Sequence, residues 1–106
     1  MSDKTPLQIL KDGLTYLREN GWVRGEFGYN RPGDKCRSCA MGAIYAGADI
    51  GISEDSNQVH DALKLLRDQL PADVGSITRY NDIIAKRRRD VERLFEKAIK
   101  KAEAAA

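Results

Sequence analysis

A chain of 106 residues has room for one domain and one hydrophobic core, and at this size neither a metal nor a disulfide framework is needed for folding. With 42% apolar and 32% charged residues it reads as a globular protein, and its longest run free of polar side chains, Cys39 to Ala48, is far too short to span a bilayer. The start, Met1-Ser2-Asp3-Lys4, leads into an amphipathic stretch and not an apolar leader, so a cytoplasmic protein with reduced cysteines and no membrane contact is expected.

The formal net charge of +2 is too small to argue for nucleic acid. Its placement says more. Residues 1–75 carry 9 basic and 11 acidic groups, whereas residues 76–106 carry 9 basic and 5 acidic groups. Much of that C-terminal excess is one run, Lys86-Arg87-Arg88-Arg89.

The first helix is signalled by Thr5 as N-cap, Pro6 at the first helical position and Gln8 completing a capping box. Leu7, Leu10, Leu14 and Leu17 recur at spacings of three and four, one buried stripe, and Gly21 suits a left-handed C-terminal cap. Residues 22–29 show no helical period and read as a short strand or an extended segment, followed by the turn cluster Asn30-Arg31-Pro32-Gly33-Asp34. A second helix, about Ser38 to Ala46, is apolar almost all round and so belongs inside the fold. Its face of Cys39, Gly42, Ala43 and Ala46 is small enough for a close neighbour, and Gly47 is expected to cap it.

Ser53 is expected to cap a third helix with Glu54 and Asp55 in its first turn, burying Val59, Ala62, Leu63, Leu66 and Leu70 before Pro71 stops it. Ser76 to Asn81 suggests a single helical turn. The last helix starts near Asp82 or Arg87 and buries Val91, Leu94, Phe95, Ala98 and Ile99. Arg88–Glu92 and Glu96–Lys100 are spaced to pair along its outer face, and residues 101–106 are expected to fray. The sum is a mostly α, compact four-helix bundle in one domain, residues 1–106, with the small-faced helix buried at its centre.

Two segments carry a resemblance. Cys39-Ala40-Met41-Gly42-Ala43-Ile44 resembles the Cys-Ala-x-Gly-Ala-(Leu/Ile) signature of a family of small uncharacterised actinobacterial and actinophage proteins. Ser76-Ile77-x-x-Tyr80-Asn81-Asp82 is similar to that family's Ser-Ile-x-x-(Trp/Tyr)-Asn-Asp signature. Gly21-Trp22 and Gly25 match a third shared feature. The resemblance singles out Trp22, Cys39, Gly42, Tyr80, Asn81 and Asp82, and implies a bacterial or phage origin but no activity. The chain departs from the pattern after Asp82: Ile84-Ala85-Lys86-Arg87 stands where the family has Pro-Gly-Arg-Thr, which leaves the start of the last helix open.

Four chemical readings compete. Cys36-Arg37-Ser38-Cys39 has the spacing of a redox dithiol at a helix start, but the βαβ setting of such sites is missing. A zinc site would need Cys36, Cys39, the only histidine, His60, and a carboxylate; no spacing supports it, so no metal or cofactor is expected. Cys39, His60 and Asn81 or Asp82 follow the chain order of a cysteine hydrolase, nucleophile then base then orienting group, yet His60 falls on the polar side of its helix. Lys86, Arg87, Arg88 and Arg89 crowd a helix N-terminus against the dipole, a penalty that a bound anion or acidic partner would reverse. The aromatics Trp22, Phe27 and Tyr29 are expected to cover the open side of the bundle. The reading favoured is a non-catalytic interaction module that binds a host protein, with nucleic acid as the alternative partner, the hydrolase third, and the oligomeric state open.

Overall fold

The computed structural model describes residues 4–105; Met1 to Asp3, on which the expectation about a leader rested, and Ala106 lie outside the described residues. Five helices form among the described residues: α1 (Pro6–Asn20), α2 (Ala40–Ala48), α3 (Asn57–Arg67), the one-turn α4 (Ile77–Arg79) and α5 (Arg88–Ala105). Between α4 and α5 the chain widens into a π-helical turn, Tyr80–Ile84, closed by the Ala85 N–H donating to the Tyr80 carbonyl at 2.8 Å. The expected bundle of four longer helices is therefore present, with α4 and the π turn added to it.

α1 begins as its residues require. The Thr5 hydroxyl accepts the Gln8 N–H at 3.1 Å, with Pro6 behind it. The capping box is only half made, because Gln8 Nε2 donates forward to Asp12 at 2.9 Å. Leu10, Leu14 and Leu17 are buried as the stripe predicts, joined by Ile9 and Gly13, whereas Leu7 stays half-buried. Gly21 caps the helix with its N–H on the Leu17 carbonyl, but its φ of 99° and ψ of 176° lie in a region that essentially only glycine enters, not in the left-handed helical well.

α1 packs on α2, α3 and α5. The α1–α2 crossing is the tightest. A Cβ on Gly47 would stand 2.4 Å from the Ile9 carbonyl oxygen and 2.6 Å from the Gly13 nitrogen. One on Gly13 would stand 2.8 Å from the Ala43 oxygen. Backbone lies directly on backbone. Six of the nine residues of α2 are buried, as its composition predicts. Gly47 is thus an interior helix residue, and the cap falls on Asp49, which takes the left-handed conformation at φ 60°, ψ 40°.

The 22–29 segment finds one partner. Trp22 makes a single parallel bridge to Ser38, with Val23 N–H on the Ser38 carbonyl at 3.1 Å and Ser38 N–H on the Gly21 carbonyl at 3.2 Å. No strand forms among the described residues; the segment is extended chain docked ahead of α2. Of its aromatics, Tyr29 is buried edge-on against Tyr16, with its hydroxyl donating to the Ile50 carbonyl. Burial pushes that phenol up to about 12.

Three boundaries move from their predicted places. α3 is capped by Ser56, whose hydroxyl accepts the Val59 N–H at 3.3 Å, and not by Ser53. Glu54 is used in the preceding turn, accepting the Gly51 N–H at 2.6 Å, and so is unavailable to a first helical turn. α3 stops at Arg67, four residues short of Pro71, and Leu63 and Leu70 are half-buried. α5 starts at Arg88 and is helical to Ala105, and the Lys11–Glu103 ion pair at 3.1 Å joins that end to α1.

Gly47→Ala is expected to force α1 and α2 apart and lower the unfolding free energy by about 2–3 kcal/mol, the cost of overpacking a close contact. Urea denaturation checks it, and an unchanged midpoint would show that the crossing yields freely.

Candidate functional site

Asn81, 1% exposed, sits where the three resembling segments meet. Its Oδ1 accepts the Trp22 indole N–H at 2.6 Å and the Ala40 N–H at 2.9 Å. Its Nδ2 donates to the Val23 carbonyl at 3.1 Å and to Asp82 Oδ1 at 2.8 Å. An amide has two acceptor sites and two donors, and all four are used. Asp82 Oδ1 also takes the Gly25 N–H at 2.9 Å. The Arg24 guanidinium lies 5.4 Å over the Trp22 ring and donates to the Ala85 carbonyl at the end of the π turn. Loop 22–25, the start of α2 and the π turn are thereby one hydrogen-bonded unit.

Cys39 is the N-cap of α2, its sulfur taking the place of the usual hydroxyl and accepting the Gly42 N–H at 3.3 Å. Its own N–H donates to the Phe27 carbonyl at 3.1 Å. Gly42 allows this approach, since a Cβ there would lie 2.7 Å from the same carbonyl oxygen. Burial pushes the Cys39 thiol above its ordinary value and the Asp82 charge adds to the rise, against the pull of the Gly42 and Met41 N–H groups. A nucleophilic cysteine needs the opposite shift.

A cavity of about 130 Å³ opens beside this unit, lined by Gly25, Glu26, Phe27, Cys39, Met41, Thr78, Asn81 and Asp82. The structure thus brings Cys39, Asn81 and Asp82 together but leaves His60 out. His60 is 59% exposed on α3, with Nε2 paired to Asp55 at 2.7 Å, and it does not line the cavity. The hydrolase arrangement is thus without its histidine, and of its two orienting candidates Asn81 is fully hydrogen-bonded while Asp82 keeps Oδ2 open among the described residues. The cysteines also part company: the Cys36 thiol donates to the Gly28 carbonyl at 3.1 Å, exposed, while Cys39 faces its own helix. Among the described residues no three His, Cys, Asp or Glu side chains gather to hold a metal ion.

The basic run is partly spent within the molecule. Arg88 and Arg89 both pair with Glu92, at 2.8 and 3.2 Å, and Arg89 reaches Glu96 at 3.1 Å. Arg18 from α1 joins them, 2.6 Å from Glu96 and 3.6 Å from Glu92, whose side chain is 7% exposed. Glu96 therefore faces α1 and not Lys100. In the first turn of α5 Asp90 reaches back and accepts the Lys86 N–H at 2.8 Å. That hydrogen bond holds the Asp90 carboxyl below its usual range. Tyr80 lies apart from Asn81's cavity, in a second cleft of about 290 Å³ with Gln69, Pro71, Asp90, Arg93, Leu94 and Lys97.

Sequence reasoning did not find Glu26, Met41 or Thr78, which carry no periodic or motif signal, and it assigned Phe27 to covering the bundle although the ring is exposed. Asn81→Ala is expected to cost about 3 kcal/mol, because it leaves the Ala40 and Trp22 donors without an acceptor. Thermal or urea unfolding measures it, and a loss below about 1 kcal/mol would mean that water replaces the amide. Alkylation with iodoacetamide is expected to label exposed Cys36 well before Cys39, read by mass spectrometry; equal rates would contradict the raised Cys39 thiol.

No curated protein and no solved structure shows significant similarity to the chain. No helix among the described residues is long and apolar enough to cross a membrane. Residues 1–101 match the family of unknown function DUF6197, and the chain belongs to that family.

Proposed function

We propose that the protein is a non-catalytic binding module that takes one side chain of a partner protein into the cavity beside Asn81. The size of the cavity carries this reading. At about 130 Å³ it is close to the roughly 150 Å³ that holds a benzene ring and well below the roughly 300 Å³ at which small-molecule sites begin. A pocket for one anchor side chain is what protein interfaces use at their centres. Large apolar side chains stand exposed next to it in the chain: Phe27 in its wall, then Ile83 (57% exposed) and Ile84 directly after Asp82. The polar groups of the site are committed to holding its shape, which suits recognition better than turnover. The bacterial or phage origin implied by the two motifs makes a host-cell protein, met in the cytoplasm, the partner in this reading.

A second reading, contact with nucleic acid, is favoured by a different surface. Lys86 and Arg87 make no ion pair among the described residues, nor do Arg93 and Lys97, which lie one turn apart on α5 and line the Tyr80 cleft.

The two separate by mutation. Thr78 is exposed and lines the cavity, so Thr78→Trp fills it without entering the core. Capture of a partner from bacterial lysate is expected to fall at least tenfold with Thr78→Trp and to persist when Lys86, Arg87, Arg93 and Lys97 are changed to Glu. The reverse pattern, with binding to mixed-sequence DNA that weakens steeply with salt, would overturn the module reading in favour of nucleic acid.

A further inference from the structure

Resting on the binding-module reading, we infer that the side chain received by the cavity is basic, an arginine or lysine of the partner. Two acidic residues, Glu26 and Asp82, line the cavity, and no lysine or arginine is among its lining residues. Asp82 is fixed from one side only: Oδ1 holds the Gly25 and Asn81 donors, while Oδ2 accepts no hydrogen bond among the described residues. Glu26 makes neither a hydrogen bond nor an ion pair among the described residues. The adjacent cation in the chain, Arg24, is held over Trp22 and on the Ala85 carbonyl. Negative charge in the cavity is therefore uncompensated from within the molecule.

The remaining walls suit the same occupant. The Phe27 ring and the Met41 thioether, which accepts the Thr78 hydroxyl at 3.3 Å, offer an apolar lining for a run of methylenes. A guanidinium or ammonium carried on such a stem would meet Asp82 Oδ2 and the Glu26 carboxylate, and a phenyl face favours a cation further. A purely aliphatic or aromatic anchor would fill the volume but leave Asp82 Oδ2 without a partner and draw the exposed Glu26 carboxylate out of water for no return.

Panning a random peptide library against the intact protein, with Thr78→Trp as the counter-selection, tests this directly. The peptides that bind wild type but not Thr78→Trp are expected to share an arginine or lysine. Replacing that residue with methionine, or Glu26 with glutamine, is expected to weaken binding by about tenfold, read by calorimetry. Peptides that depend on the open cavity yet share only an apolar anchor, indifferent to Glu26→Gln, would overturn the basic occupant and leave the module reading standing. No cavity-dependent peptide at all would overturn both. A concentration-dependent dimer abolished by Thr78→Trp in sedimentation would overturn the partner protein in favour of a second copy of this chain.

Discussion

The saturated hydrogen bonding of Asn81 is the constraint on which the site depends. A buried amide has four hydrogen-bonding positions, and leaving any of them empty costs on the order of 1–3 kcal/mol, so the groups that fill them are held to tenths of an ångström. Here those groups come from an indole, two stretches of backbone and a neighbouring carboxylate, and they belong to three segments distant in the chain. Loop 22–25 has no regular partner beyond one bridge, α4 is a single turn, and the π turn is one five-residue turn. None of the three would hold its place alone. Asn81, from within the π turn, ties the loop and the start of α2 to it, and the cavity is the space that unit leaves beside the α2 N-cap.

That arrangement changes what the motif residues mean. The resemblance singles out Trp22, Cys39, Gly42, Asn81 and Asp82, and each has a structural task in the folded chain: ring under a guanidinium, N-cap, clearance for a carbonyl, hub, and acceptor for a loop amide. The side chains with uncommitted chemistry are others, Glu26, Phe27, the second oxygen of Asp82 and the exposed isoleucines. A frame made of specific residues thus presents a small, acidic, apolar-walled recess.

The charged C-terminal third follows the same logic. In the linear sequence four successive cations oppose a helix dipole. In the fold, Glu92 and Glu96 turn toward α1, gather Arg18, Arg88 and Arg89, and make that network part of the α1–α5 contact. Asp90 meanwhile accepts the Lys86 N–H just ahead of the helix. Pairing chosen by spacing alone, Glu96 with Lys100, loses to pairing across helices because a partly buried carboxylate is worth more when several guanidiniums converge on it.

Local physics made much of the fold legible from the residues. Caps at Thr5 and Gly21, the leucine stripe of α1, the apolar circumference of α2 and the core positions of α3 and α5 depend on neighbours within four residues, so the sequence states them directly. The role of Gly47 was decided by Ile9 and Gly13 pressing on it, and the helix therefore runs through it to Asp49. Ser56 displaced Ser53 as a cap because Glu54 was drawn into a turn on Gly51. The site was legible only as its members: Cys39, Asn81 and Asp82 can be singled out by motif, but Glu26, Met41 and Thr78 join them only because contacts such as Met41–Thr78 and Trp22–Asn81, 37 and 59 positions apart, bring their segments together. Periodicity and capping are short-range effects and are written in the sequence; a cavity is a property of which distant surfaces meet, and only the tertiary structure sets that.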